Sequence, residues 1–333
     1  MTHPIPPGSR DILPDEMGEL RALQARLAAV FERFGYGEVA TPTVEYDAVL
    51  ARAGDVSGAP AAHRFFGRSG ELLAMRADMT VPIARLVANR YATAEMPVRL
   101  FYNARAYREV RPQRGQMGEF FQAGVELVGA GAPDGTVEVV EVLSAALDAA
   151  GLGRAVIGLG DAALYRQLLE EVGVADDDRA RVLELLAARD LVGLAAEVDG
   201  LRVGSREREV LTAIPSLRGG PEVLDRAREM GGEVTARAVA RLAETHERIA
   251  ERGIAGRVAL DLGLLRDLGY YTGAILEVYD PALGHVLGGG GRYDELMGRF
   301  GRPLPAVGFA LYLERVHIAQ AEEERIASEE TVG

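Results

Sequence analysis

The stretch that decides the fold is YREVRPQRGQMGEFFQAGVELVG, residues 107–129. Two strand-like runs flank Arg-Pro-Gln-Arg-Gly, so the segment reads as a β-hairpin whose loop could grip an anion. Past the loop glycine come Gln116, Met117 and Gly118, where an anion site would gain from further cations. On the second run, alternation sets Phe120, Gln122, Gly124 and Glu126 on one face. A glutamine and a glutamate with glycine between them would line a polar floor. The bland alternative is a solvent-exposed strand face.

Working outward, residues 15–34 carry Leu20, Leu23, Leu27, Val30, Phe31 and Phe34 at helical spacing, with Pro14 before them and Gly35 fit for the C-terminal cap. YGEVATPTVEY follows as a strand-like run. Pro42 inside it lacks the N–H that a central ladder needs, so the run belongs at an edge or an interface. RFFGRSGELLAMR (64–76) reads as a hairpin turning on Ser69-Gly70, residues 79–91 as a short helix, and 137–151 as a further helix stopped by Gly151. The region 161–253 is dominated by helical patterns and reads as an inserted helical unit. Strand patterns return in GRVALDLG, YYTGAILEVY and GHVLGGGG, and AVGFALYLERVHIA begins as a strand and ends as a helix. Residues 321–333 read as a frayed polar tail. Strand hairpins with helices between them, and no regular βαβ alternation, favour an α+β fold on a mainly antiparallel sheet. Two blocks, 1–160 and 254–320, would form its core.

Composition narrows the function. The chain has 333 residues, 48% hydrophobic and 26% charged, as in ordinary globular proteins. It contains no cysteine, which removes disulfides, thiolate metal sites and a cysteine nucleophile. Its five histidines show no i, i+4 pair and no HExxH, so no metal is expected. A net charge of −13 argues against extended nucleic-acid binding. No apolar run is long enough to span a membrane and the N-terminus has no signal-like apolar core, so a cytoplasmic location is expected.

Several motifs bear chemistry. VIGLGDAALY (156–165) matches G-x-G-x-x-A, yet the region where a dinucleotide fold needs a second strand and its acidic end is helical, so a strand–turn–helix junction is favoured. LGGGGRYDEL (287–296) lacks the Lys-Ser/Thr of a P-loop, but successive glycines let a ligand approach the main chain, which makes Gly289, Gly290 and Gly291 a candidate ligand wall. Asp78 and Thr80 in MRADMT, Arg108, and Arg266 with Tyr270 and Tyr271 in RDLGYYTG are further candidates.

Together these segments resemble the class II aminoacyl-tRNA synthetase core, specifically that of histidyl-tRNA synthetase. PPGSRDILP resembles its N-terminal signature, and ATPTVE resembles motif 1, with Pro42 at the dimer interface. MRADMT stands where the family has Arg-Pro-Glu-Gly-Thr. The opening stretch resembles motif 2, and RDLGYYTG the histidine-specific segment. GGGRYDEL and AVGFALYLERV resemble the glycine-rich wall and motif 3, with Arg315 as its arginine. The resemblance implies a pocket for histidine. Asp78, Thr80 and Gln122 would accept from the ammonium, Arg266 would take the carboxylate, Glu126 and Tyr271 would meet the imidazole, and Arg108 and Tyr270 would complete the site.

The ATP half departs from the family. Val110 stands where the family has a glutamate two places after Arg108, Gln116 and Gly118 replace loop arginines, and Tyr312 replaces a small glycine before Leu-Glu-Arg. The sequence runs 18 residues past Arg315, so no anticodon-binding domain of about 100 residues is expected. The resemblance thus narrows to the family of ATP phosphoribosyltransferase regulatory subunits. It implies a non-catalytic subunit with no cofactor and no tRNA. Such a subunit is required by a short-form catalytic subunit and carries histidine feedback on the first step of histidine biosynthesis. A homodimer within a hetero-octamer is expected. The alternatives are a truncated histidine-activating ligase, which the retained Arg108 and Arg315 would serve, and a dinucleotide oxidoreductase resting on GLGDAA.

Overall fold

The computed structural model describes residues 4–54, 62–109, 117–266, 269–281 and 283–332. The loop of the opening hairpin, Val110 and Gln116 included, lies outside the described residues. Helix α1 (Pro14–Arg33) buries Leu20, Leu23, Leu27, Val30 and Phe31. Gly35 ends it with φ 81°, donating its N–H to the Glu32 carbonyl. The proline-bearing run then splits into β1 (Gly37–Glu38) and β2 (Val44–Tyr46). Pro42 falls between the two strands instead of inside one. The Thr41 and Pro42 carbonyls accept from the buried Arg76 guanidinium at 2.7 and 3.3 Å.

Helix α2 (Asp47–Leu50) leads to the hairpin β3 (Arg64–Phe66) and β4 (Leu72–Met75), which forms with β2 a three-stranded antiparallel sheet. Next come α3 (Thr80–Arg90), β5 (Val98–Tyr107), β6 (Glu119–Val128), α4 (Asp134–Ala149) and β7 (Val156–Asp161). A helical stretch follows, with α5 (Leu164–Glu171), α6 (Asp176–Ala187), α7 (Leu191–Gly200) and α8 (Ser205–Ala213). The two-residue β8 (Arg218–Gly219) interrupts it before α9 (Glu222–Met230) and α10 (Glu233–Glu251). The chain closes with β9 (Val258–Asp261), β10 (Ala274–Tyr279), β11 (Val286–Arg292), α11 (Leu296–Arg299), β12 (Ala306–Tyr312) and α12 (Leu313–Val332).

The central sheet has nine strands in the order β1-β5-β6-β12-β11-β10-β7-β9-β8. Its pairs are antiparallel except β1–β5 and β7–β9, so the α+β class expected from the hairpin pattern holds. One face packs under α1 and α4, where the Phe31 ring lies 5.5 Å from Phe101 and 6.0 Å from Phe309. The other face packs Leu100 and Tyr102 against Met79, Ile83 and Val87, from the turn into α3 and from α3 itself.

The C-terminal residues differ from the frayed tail expected. Helix α12 continues to Val332. Glu323 accepts the N–H groups of Gly153 and Arg154, both at 3.0 Å, and Arg325 pairs with Glu322 and Glu329 at 3.0 and 2.6 Å. Such i, i+3 and i, i+4 pairs add a few tenths of a kcal/mol each. Among the described residues no helix is long and apolar enough to cross a membrane.

Candidate functional site

The hairpin β5–β6 supplies the floor of the site. Its register sets Ala104 opposite Gln122 and Leu100 opposite Glu126, and β12 continues the rows with Tyr312 beside Gln122 and Gly308 beside Glu126. Directly paired residues share a face. One cavity opens on this face. Asp78, Thr80, Arg108, Gln122, Glu126, Arg266, Tyr270 and Tyr271 all line it, as do Gly289, Gly290 and Tyr312. Segments distant in sequence therefore converge.

Two glycines make the convergence possible. A β-carbon at Gly308 would collide with the Glu126 carboxylate, and one at Gly289 with the Arg266 guanidinium. Gly291 sits behind the wall, under the Tyr271 ring, and does not line the cavity.

Glu126 is buried and accepts from Thr80 Oγ1 at 2.8 Å through Oε1 and from the Tyr293 hydroxyl through Oε2. Burial, with a smaller push from Asp78, raises its pKa to about 8 against the pull of those two donors. Burial likewise raises Asp78, although the Val81 N–H donates to its Oδ1 at 3.3 Å and Arg108 stands nearby. The Arg76–Asp78 segment is held in place by the end of β5. Tyr107 N–H donates to the Arg76 carbonyl at 2.9 Å, and Arg108 Nε to the Ala77 carbonyl at 3.0 Å. Gln122 is 2% exposed, and its side-chain oxygen has no hydrogen-bond partner among the described residues. An unpaired buried acceptor costs about 1–3 kcal/mol, a cost that a ligand donor would remove.

The outer end is filled. The Tyr312 ring meets Phe120 edge-on at 5.5 Å, with the guanidiniums of Arg108 and Arg315 at 5.8 and 5.0 Å from its centroid. Burial resists ionisation of this phenol, but Arg108, Arg266 and Arg315 outweigh it and bring the pKa down to about 8. Arg315 itself donates to the Val286 carbonyl at 2.6 Å and does not line the cavity. Gly118 lies beside the N-terminal segment, donating its N–H to the Gly8 carbonyl at 2.7 Å.

Three contributors escaped the sequence reading. Tyr293 and Tyr102 line the cavity, and Gly308 leaves room for Glu126. Tyr293 stood inside the GGGRYDEL string, but only its strand register shows that it reaches Glu126. The GLGDAA string lies elsewhere. Gly158 and Gly160 fall inside β7, between β10 and β9, so this glycine pair is sheet packing and not a phosphate loop.

Residues 8–316 match the family model described as Histidyl-tRNA synthetase. A curated protein from Moorella thermoacetica, named ATP phosphoribosyltransferase regulatory subunit, is 42% identical over 320 residues, spanning 96% of this chain and 82% of that protein. One of the same name from Symbiobacterium thermophilum is 42% identical over 327 residues, spanning 98% and 82%. Among solved structures, an ATP phosphoribosyltransferase regulatory subunit/histidyl-tRNA synthetase from Bacillus halodurans superposes with a TM-score of 0.87 at 31% identity, covering 96% of this chain and 84% of that one.

Proposed function

The chain belongs to the family of ATP phosphoribosyltransferase regulatory subunits, built on the histidyl-tRNA synthetase core, and from there we propose that it binds free L-histidine without activating it. The bound state is passed to a short-form catalytic subunit, which needs this chain for activity and is restrained by histidine through it. The observation that carries the reading is the contrast within one cavity. Toward Glu126 the cavity holds a buried carboxylate and, midway, the unpaired Gln122 oxygen, whereas beyond Gln122 it is occupied by the protein's own Tyr312 ring.

In the occupied pocket Asp78, Thr80 and Gln122 take the ammonium, Arg266 takes the carboxylate, and Glu126 and Tyr271 meet the imidazole. Arg108 and Tyr270 shape the same wall. The adenylate space is lost to Tyr312, and Val110 offers no acceptor for an adenine amino group. Inhibition follows from linkage: histidine favours the state of the assembly that it binds more tightly.

The assembly includes a homodimer of this chain. In the three-stranded sheet Val44, Tyr46 and Phe65 share one face and are 37, 59 and 40% exposed, beside the segment that holds Pro42. Exposed apolar surface of this kind favours a symmetric partner. A monomer by light scattering at micromolar concentration would count against that element.

Titration calorimetry with L-histidine tests the binding half of the proposal, and one site per chain is expected. Histidine-dependent exchange of pyrophosphate into ATP tests the other half. Clear exchange by this chain alone would establish a histidine-activating ligase instead.

A further inference from the structure

Among the described residues Arg189 is the one non-glycine with a positive φ, 58°. It stands between α6 and α7, just past the C-cap of α6, where a helix commonly ends on a left-handed residue that is usually glycine. The helix C-cap sets that φ, with the Arg189 N–H donating to the Leu186 carbonyl and the Asp190 N–H to the Leu185 carbonyl, both at 3.0 Å, and a pair of carboxylates holds the side chain. Arg189 Nη1 donates to Asp261 Oδ2 at 2.9 Å, and Nη2 donates to Glu277 Oε1 at 2.9 Å. Both acceptors are on sheet strands, with side chains only 2 and 16% exposed.

Glu277 also faces the pocket's arginine. It lies directly opposite Gly289 across β10 and β11. Paired residues share a face, and the space over Gly289 is where the Arg266 guanidinium rests. Arg266 therefore stands on the β11 side of Glu277, while Arg189 reaches it from the helices and continues to Asp261 on β9. Arg218 on β8 extends the row, 3.8 Å from Asp261. Charges alternate across the sheet from the cavity to its far edge. Burial works against the Arg266 charge, yet Tyr312, Tyr271 and Glu277 keep its pKa above the usual arginine value.

We propose that Arg189 is a positioning residue that couples occupancy of the pocket to docking of the α6–α7 corner on the sheet, with Glu277 as the shared carboxylate. The inference rests on the reading that a ligand carboxylate binds Arg266. When that carboxylate takes up part of the Arg266 charge, Glu277 is left to Arg189 and the corner docks more firmly. By reciprocity an undocked corner frees Glu277 to compete with the ligand for Arg266. The helical stretch thereby registers the state of a cavity that it does not line.

Hydrogen exchange of the amides in residues 176–200, with and without L-histidine, tests the coupling alongside calorimetry on the same samples. Arg189→Gly is the variant of choice, because glycine accepts the positive φ without strain, and its melting curve is recorded beside that of the natural chain. In the natural chain histidine is expected to slow exchange in this corner. In Arg189→Gly histidine still binds, within about threefold of the natural affinity, but exchange in the corner no longer responds to it. Glu277→Gln is expected to uncouple the corner equally, with the Arg189–Asp261 bond left in place. A full histidine response in Arg189→Gly overturns the proposal, as does a natural chain that binds histidine by calorimetry with its corner unaffected. Absence of histidine binding to the natural chain would instead remove the pocket reading, and the coupling with it.

Discussion

The two ends of one cleft, both built on β6 and β12, are finished in opposite ways. At the inner end Glu126 accepts from Thr80 and Tyr293, and between the ends, beside Tyr312, the Gln122 oxygen is buried without a partner among the described residues. At the outer end Phe120, Tyr312, Arg108 and Arg315 satisfy one another by ring contacts and cation–π contacts. Buried polar groups are costly unless paired. On the proposed reading, the unpaired Gln122 oxygen awaits a ligand, while the outer end is closed by the protein's own side chains.

The sharpest way to break this contrast is Glu126→Ala. The substitution removes a buried carboxylate and strands the Thr80 and Tyr293 hydroxyls. Histidine affinity by calorimetry should fall about 100-fold or more. A loss of threefold or less would mean that the ligand lies elsewhere.

Gly308→Ala comes next. Its β-carbon would press on the Glu126 carboxylate, and overpacking of this kind costs about 1–3 kcal/mol. Thermal melts should shift down, and histidine should bind roughly tenfold more weakly.

Tyr312→Gly opens the outer end alone. Histidine affinity should stay within about threefold, and pyrophosphate exchange should remain absent, because Val110, Gln116 and Gly118 still lack the family's polar groups. Exchange in this variant would sharpen the comparison by laying the whole loss on one ring.

The smallest effect is in pH dependence. Glu126 is raised to about 8 in the folded chain. Its contribution to the stability of the unliganded protein is full below the ordinary carboxylate range and is lost as pH rises toward 8. Melting temperature without ligand should decline over that window, and Glu126→Gln should flatten the decline. A ligand that needs the ionised carboxylate gains affinity over the same window, by at most about tenfold per pH unit. Above about 8 the Tyr312 phenolate competes for Arg266, so affinity should fall again, and Tyr312→Phe should soften that alkaline limb.

Much of this was readable without coordinates, because it depends on local periodicity. Period-2 alternation put Gln122 and Glu126 on one face, and helical spacing marked the buried side of α1. The run around Pro42 reads as one strand, but it splits where the Thr41 and Pro42 carbonyls accept from the distant Arg76 guanidinium. Tyr293 and Gly308 could not be found by pattern, because their roles depend on which strands become neighbours and in what register. Arg189 was invisible for a different reason. Its φ belongs to the cap of α6, but the partners of its side chain, Asp261 and Glu277, lie 72 and 88 residues away and leave no local sequence signature. The polar end of the chain read as a tail, yet its carboxylates and Arg325 stitch it into α12.

The most direct test of the central claim is phosphoribosyl-ATP formation by a short-form catalytic subunit mixed with this chain, assayed with and without L-histidine. Activity that requires the chain, falls with histidine, and loses its histidine sensitivity in the Glu126→Ala complex is the expected result. A catalytic subunit equally active without the chain, or a Glu126→Ala complex as histidine-sensitive as the natural one, would contradict it.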